Sequence, residues 1–468
     1  MKKHEHYQTK PEDRVRNLEK FTYSLGAIPL GSGMQSINRM ANIIFNMCLG
    51  VDPRLIGIAM FVFRMWDAVT DPVMGAISDN TRSKWGRRKP YLVLGSILCA
   101  FVFPFVWMCS RDWSEMAIFT WFMVTAIIYY TCYTIFSVPY LSLAVEMTPD
   151  YHERTRLISL RAFMNKIVSI GIGWLFAIVT LDHFTDELEG MRWVSLVIAA
   201  LFVIFGVIPA IFSKERFYRQ ASKQKKVSLV ESVKYTMSSK PFLMLLSMVI
   251  LMVVATMMVS QLGVYLTTYY VFGGDKPASA IIVGWSGTAG MIISMISIPI
   301  FNFISTHLGK TRALFINLAV LLVATLSKWV LVNPDHPWWM VINAAMIGPG
   351  VTGVWLLLPS MQADICDYDE LQTGNRREGS YSSVMSWVNK TGLSISMLVS
   401  GFILSATGFD VELGGAQAES TFLWMRILYC LVPTAMVLII MAILIRYPLT
   451  EERCHEVRAE LEARRGTV

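Results

Sequence analysis

The 468-residue chain is 54% hydrophobic and only 16% charged, with a formal net charge of +7 and a mean hydropathy of +0.48. Soluble domains are about a quarter charged, whereas here the apolar residues come in runs of about 20 or more, enough to cross roughly 30 Å of hydrocarbon as a helix. A soluble nucleic-acid binder, a disulfide-stapled secreted scaffold and a disordered chain are excluded, which leaves an all-α polytopic membrane protein.

Apolar runs at 21–50, 55–78, 91–109, 117–145, 162–181 and 194–212 predict six spans, and runs at 242–272, 280–305, 313–332, 340–363, 383–408 and 422–445 predict six more. Each is read as a helix, because lipid offers an open backbone no hydrogen-bond partner. The expected organisation is a tail at 1–19, a six-helix bundle at 20–213, a central loop at 214–240, a second bundle at 241–447 and a tail at 448–468. The N-terminal residues lack an apolar core followed by a small-residue cleavage site, so no removable signal peptide is expected.

Arg82, Lys84, Arg87, Arg88 and Lys89 follow the second span, and Lys214, Arg216, Arg219, Lys223, Lys225, Lys226, Lys234 and Lys240 fill the central loop. The alternate loops are acidic, with Asp182, Asp186, Glu187 and Glu189 in one and Asp410, Glu412 and Glu419 in another. The positive-inside rule then puts the basic loops and both termini in the cytoplasm. The seven cysteines are odd in number and contain no CxxC pair, so neither disulfides nor zinc are indicated. Cys454, Val457 and Leu461 form one stripe of the last tail, suggesting either a short amphipathic helix or a solvated segment. The turn ahead of the third span has a partner in Leu308-Gly309-Lys310-Thr311-Arg312. Two halves with matching loops are what a transporter built from repeated bundles would show.

Charges within the spans carry the functional signal. Arg64, Asp67 and Asp71 fall at i, i+3 and i+7 of the second span, on one helical face. A carboxylate at mid-membrane costs at least about 2.5–3.5 kcal/mol unless it pairs, binds an ion or lines water. One Arg and two Asp leave a negative surplus that a cation would satisfy, with Asp67 and Asp71 as hard oxygen ligands and Thr70 between them. Lys390 of the eleventh span is a fixed positive charge that could substitute for that cation. Arg39, Arg161, Lys166 and Lys328 lie inside or at the margins of spans, where they would suit an anionic substrate group or reach to headgroups; Lys328 is expected to snorkel. Gly348-Pro349-Gly350 should loosen the tenth span near Trp355, whose indole could stack on a sugar ring or pack against lipid. All seven histidines sit in tails or loops, which argues against a histidine proton relay.

The run Arg64-Met65-Trp66-Asp67-Ala68-Val69-Thr70-Asp71-Pro72-Val73-Met74-Gly75, with Thr81-Arg82-Ser83-Lys84-Trp85-Gly86-Arg87-Arg88-Lys89-Pro90, resembles the glycoside-pentoside-hexuronide:cation symporters of the major facilitator superfamily. The resemblance continues at Tyr133-Thr134-Ile135-Phe136-Ser137-Val138-Pro139-Tyr140, at Arg161, at Asp364-Ile365-Cys366-Asp367-Tyr368-Asp369-Glu370 and at Ser386-Trp387-Val388-Asn389-Lys390-Thr391-Gly392. It implies twelve transmembrane helices in two six-helix bundles and secondary active import of a glycoside, pentoside or sugar acid with Na+ or H+ by alternating access. By the resemblance, Asp67, Thr70, Asp71 and Thr134 are the cation site, with Asp67 and Asp71 as the Na+ ligands if sodium is the ion. Arg39, Arg64, Ser137, Arg161, Asn165, Lys166, Trp355, Ser386, Asn389 and Lys390 are the expected substrate residues. Asp79, Arg87, Arg88, Asp364 and Asp367 are candidates for a cytoplasmic latch.

Departures from the family pattern point to substrate chemistry. Sugar-binding carboxylates of the first and fourth spans correspond to Gly31 and Ser137, a stacking Trp corresponds to Leu141, and the Asn between the cation-site carboxylates is Thr70. Carboxylates accept well from neutral sugar hydroxyls, so their loss beside Arg39 and Lys166 favours an acidic saccharide. The resemblance further implies a bacterial inner-membrane protein working as a monomer on a small sugar in the bilayer, with no nucleic acid partner and no cofactor beyond the coupling ion. A lysolipid carrier of the same fold and a non-transporting membrane sensor are the alternatives. An enzyme is not expected, since no span holds a His or Cys constellation for general-base or nucleophilic chemistry.

Overall fold

The computed structural model describes residues 14–148, 150–215, 237–374 and 377–465. Arg216, Arg219, Lys223, Lys225, Lys226 and Lys234 of the central loop, and the first 13 residues of the N-terminal tail, lie outside the described residues. Every regular element among the described residues is helical. In chain order the helices are α1 (Asn17–Leu25), α2 (Ala27–Ala41), α3 (Pro53–Asn80), α4 (Lys89–Val102), α5 (Glu115–Met147), α6 (Tyr151–Gly173), α7 (Leu175–Val179) and α8 (Glu187–Phe212). They continue as α9 (Lys240–Val253), α10 (Ser260–Tyr265), α11 (Lys276–Leu308), α12 (Lys310–Leu331), α13 (Trp339–Thr373), α14 (Glu378–Ala406), α15 (Glu419–Ile445) and α16 (Glu451–Arg465).

Helix starts follow local chemistry. Ser114, Asp150, Asp186 and Asp275 each accept a hydrogen bond from the backbone N–H three residues on, at 3.3, 2.8, 2.6 and 3.0 Å, satisfying first-turn donors that have no partner within the helix. Among the described residues nine helices are long and apolar enough to cross a membrane. The expected first, second and eleventh spans fall on helical segments outside those nine, because Arg39, the Arg64–Asp71 series and the Asn389-Lys390 pair dilute their hydropathy. The polar content that lowers their hydropathy is the content expected of a binding site.

The chain divides into two units, residues 1–51 with 62–225, and residues 52–61 with 226–468. In the first, Tyr23, Leu92, Phe136, Tyr140 and Leu143 belong to one buried cluster, where Tyr23 and Tyr140 stack at 4.8 Å and the Tyr140 hydroxyl donates to Tyr23 O at 2.8 Å. In the second, α11 and α12 pack on α13. A Cβ at Gly350 would lie 2.7 Å from Leu321 Cβ, and one at Gly348 would enter the Gly290 carbonyl, so these glycines permit close helix approach. The helix runs unbroken through Gly348-Pro349-Gly350.

Two further sequence expectations change and one open choice is resolved. The fifth span begins at Tyr151 in place of 162, because hydropathy reports lipid contact and misses about three charged helical turns; Arg161 is therefore well inside α6. Lys328 is 6% exposed and does not snorkel; its ammonium donates to Tyr429 O at 3.3 Å and lies 3.8 Å from the Tyr429 ring centroid. The tail stripe is a docked helix, with Val457 and Leu461 of α16 buried against Leu371 of α13.

Candidate functional site

The centre of the first unit is built from α2, α3 and α5. Helical spacing sets Arg64, Asp67 and Asp71 along one face of α3, and Trp66 Nε1 donates to Thr131 Oγ1 at 2.9 Å, tying α3 to α5. The Tyr133 hydroxyl donates to Leu30 O at 3.0 Å, tying α5 to α2. Asp67 is 5% exposed and its Oδ1 accepts from the Thr134 hydroxyl at 3.2 Å. That hydroxyl stands 3.2 Å from the Thr70 hydroxyl, and Asp71, partly buried, follows at the next position. Arg64 Nη1 approaches Asp67 Oδ2 only to 4.0 Å. It donates instead to Met34 Sδ at 3.2 Å, and the guanidinium faces the Tyr130 ring at 5.6 Å. The result is a set of hard oxygens from two helices, suited to a small cation, beside an arginine that does not close over them.

A second polar group lies where α6 packs on α1 and α2. Gln35 Nε2 donates to Asn165 Oδ1 at 3.5 Å, and Arg161 Nη1 donates to the Tyr23 hydroxyl at 3.5 Å. Gly31 is buried, and a Cβ there would lie 2.6 Å from Asn165 Oδ1; the Asn165 amide occupies the room that a carboxylate at position 31 would need. Arg39, two turns further along α2, has a buried Nε with no acceptor among the described residues. Lys166 is partly buried. Ser137 is buried on α5, three residues past Thr134.

In the second unit, Asn389 and Lys390 are partly buried on α14 and Ser386 is exposed. Asn389 Oδ1 is buried and accepts no hydrogen bond among the described residues. Trp355 packs one side against the core of this unit.

Of the expected latch residues, Asp79, Arg87, Arg88 and Asp364 make ion pairs inside their own units. Arg87 and Arg88 both bind Glu146, the latter at 2.9 Å through Nε, and Arg88 also binds Asp79. Lys310 Nζ donates to both Asp364 oxygens, at 2.7 and 2.8 Å. Asp367 lines a cavity with Asp364 and Lys310. Sequence reasoning missed Glu146, Glu215, Tyr130 and Met34 as site residues, and had Lys310 only as part of the repeated basic turn. Glu146 was detectable as an acid ending an apolar run opposite an arginine pair, whereas Glu215 was hidden among central-loop charges.

The family whose description reads "MFS/sugar transport protein" matches residues 22–451. The chain belongs to that family. Several relatives align along most of this sequence. The "Glucuronide carrier protein homolog" of Escherichia coli is 24% identical over 89% of this chain and 89% of its own length. The "Isoprimeverose transporter" of Lactiplantibacillus pentosus is 24% identical over 87% and 85%. The "Sodium-dependent lysophosphatidylcholine symporter 1" of Gallus gallus is 23% identical over 96% and 90%. Among solved structures, a point mutant of the nucleoside transporter NupG superposes with a TM-score of 0.66 over 91% of this chain and 99% of its own, at 14% identity. That likeness shows the fold. This MFS/sugar transport protein is an all-helical, multi-pass membrane transporter, a symporter by family and not an enzyme, and the resemblance to the glycoside-pentoside-hexuronide:cation symporters holds.

Proposed function

We propose that the chain imports an acidic sugar or glycoside, a hexuronide above all, by symport with Na+ or H+ across a bacterial inner membrane, with both termini cytoplasmic and one monomer as the working unit. The observation that carries this reading is the buried Asp67 carboxylate held by the Thr134 hydroxyl, with Thr70 and Asp71 beside it and Arg64 set back at 4.0 Å. The cation binds Asp67 and Asp71, with Thr70 and Thr134 supplying hydroxyl oxygens. Arg39, Arg64, Arg161 and Lys166 meet the substrate's anionic group; Ser137, Asn165, Ser386 and Asn389 bond its hydroxyls; Trp355 stacks on its ring; and Lys390 balances the carboxylates when the cation has left. A cation at Asp67 neutralises part of the negative charge, which strengthens the pull of the basic residues on an anion. By linkage each ligand then raises the other's affinity equally. Asp79, Arg87, Arg88, Asp364 and Asp367 brace the cytoplasmic ends during the cycle.

The filled space at Gly31 supports a substrate other than a simple neutral sugar, because the Asn165 and Gln35 amides stand where the resemblance puts a neutral-sugar-binding carboxylate. The test is counterflow and gradient-driven uptake in proteoliposomes, comparing a glucuronide, the matching neutral glucoside and lysophosphatidylcholine. Glucuronide accumulation should follow a Na+ or pH gradient and fall at least about tenfold in Asp67→Asn, as expected when about 1.4 kcal/mol or more of ion binding is lost. Full accumulation by Asp67→Asn would remove the cation site, neutral glucoside transported equally well would remove the acidic substrate, and transport of the lysolipid alone would make the chain an amphiphile carrier.

A further inference from the structure

At the end of the first unit where the chain enters α1, a cavity of about 800 Å³ is lined by Arg14, Arg16, Lys20, Arg156 and Lys214, with Glu153 its only carboxylate among the described residues. Glu153 is fully buried and already held, by Lys20 at 2.6 Å and Arg156 at 3.3 Å. Among the described residues the lining therefore carries five basic side chains against one carboxylate. The basic side chains are not on a loose tail: Val15, between Arg14 and Arg16, is 3% exposed and belongs to the core cluster with Tyr23, Leu92 and Phe136. Docking of Val15 and the buried Lys20–Glu153 pair fix three elements around one concave basic surface: the start of α1, the first turns of α6 and the segment after α8.

The neighbours of these cations are apolar and exposed. Leu18 and Phe21 on α1 are 62% and 46% exposed, and Ile211 and Phe212 at the end of α8 are 63% and 47% exposed. A soluble anion has no use for such a border, whereas an amphiphile with a phosphate head does. The site lies at the same end of the unit as the basic turn, since Glu215, next to Lys214, accepts from the backbone N–H groups of Arg87 and Arg88 at 2.6 and 2.9 Å. By charge distribution that end faces the cytoplasmic leaflet, where basic pockets between transmembrane helices bind anionic headgroups.

We propose that this cavity is a binding site for the phosphate of an anionic phospholipid, with its acyl chains running over Leu18, Phe21, Ile211 and Phe212. The site is separate from the transport residues and holds whether or not the substrate is a sugar acid. A lipid seated there bridges α1, α6 and α8, and so braces the helix that carries Arg161 and Asn165.

The experiment uses the full-length protein purified in a neutral detergent, with dioleoyl-phosphatidylglycerol, dioleoyl-phosphatidylcholine or inorganic phosphate added. Thermal unfolding and native mass spectrometry are the two readouts. Phosphatidylglycerol should raise the apparent Tm by about 2 °C or more, because a ligand of the folded state stabilises it, and should remain as a bound adduct. The gain should shrink in about 1 M salt, where the Debye length falls to about 3 Å. Arg16→Ala with Lys214→Ala should lose the gain and the adduct while keeping the lipid-free Tm; Lys214→Glu alone serves as a second variant and should weaken both. Equal stabilisation by phosphatidylcholine, an unchanged response in both variants, or stabilisation by inorganic phosphate without lipid would each overturn the proposal.

Discussion

In the first unit the turn ahead of α4 and in the second the turn ahead of α12 follow one plan. Each places a positive-φ glycine before the helix, Gly86 at +107° and Gly309 at +80°, and each sets a carboxylate from the segment after the unit's last span against that glycine, Glu215 in one and Glu451 in the other. A basic residue then pairs with an acid near the end of a neighbouring helix: Arg87 and Arg88 with Glu146, Lys310 with Asp364. The weights differ. Glu146, Arg87 and Arg88 are buried at 2%, 5% and 5% exposure, while the Lys310 side chain is 37% exposed. A repeated sequence signature thus marks a repeated geometry without marking equal strength, because strength depends on how much solvent each pair has lost.

The largest expected effect separates the two turns directly. Glu146→Ala leaves the buried Arg87 and Arg88 guanidiniums with only the more exposed Asp79 carboxylate and should cost about 3 kcal/mol, seen as loss of a monodisperse protein or a large fall in Tm. Asp364→Ala at the matching place should cost no more than about 1 kcal/mol. Equal Tm losses would show that burial does not separate the pairs. Next in size, Glu215→Gln weakens a carboxylate that accepts from the N–H groups of Arg87, Arg88 and Lys89 at 2.6, 2.9 and 3.2 Å. A charged hydrogen-bond acceptor of this kind contributes about 1.5–3 kcal/mol, and a Tm unchanged in Glu215→Gln would mean that the cap holds nothing.

The smallest effect is chemical and reads the second unit alone. Burial, reinforced by the Asp364 charge, pushes the Cys454 thiol up to about 11, so at pH 8 only about a thousandth of it is the reactive thiolate. Iodoacetamide labelling of Cys454 should be slow. Val457→Asp, which places a carboxylate where α16 docks, should free the thiol toward its ordinary value of about 8.5 and speed labelling about a hundredfold at pH 8. Fast labelling of the unaltered protein, read by mass spectrometry, would show that α16 is not held on α13.

Parts of the site were legible because they are local. Arg64, Asp67 and Asp71 declare themselves by polarity within an apolar run and by helical spacing, and both survive in α3. Thr134 became a candidate only through the family resemblance, and the hydroxyl it gives to Asp67 comes from 67 residues away. Glu215 lies 128 residues from Arg87, and nothing periodic links them. Lys328 shows the opposite error: a lysine near a span's end reads as a snorkelling group, yet the Tyr429 carbonyl and ring make an interior position tolerable.

By itself the sequence determined the solvent, the helical class, the two matching sets of apolar runs and the helix that carries the paired carboxylates. These follow from hydropathy, spacing and charge within about twenty residues, the scale on which lipid selects a helix. Only the tertiary structure decided which hydroxyl meets Asp67, that Arg64 turns to Met34 and Tyr130, that Asn165 fills the room beside Gly31, and that Glu146 and Glu215 hold the basic turn. Those choices depend on which helix faces pack together, and packing joins residues whose separation along the chain carries no periodic trace.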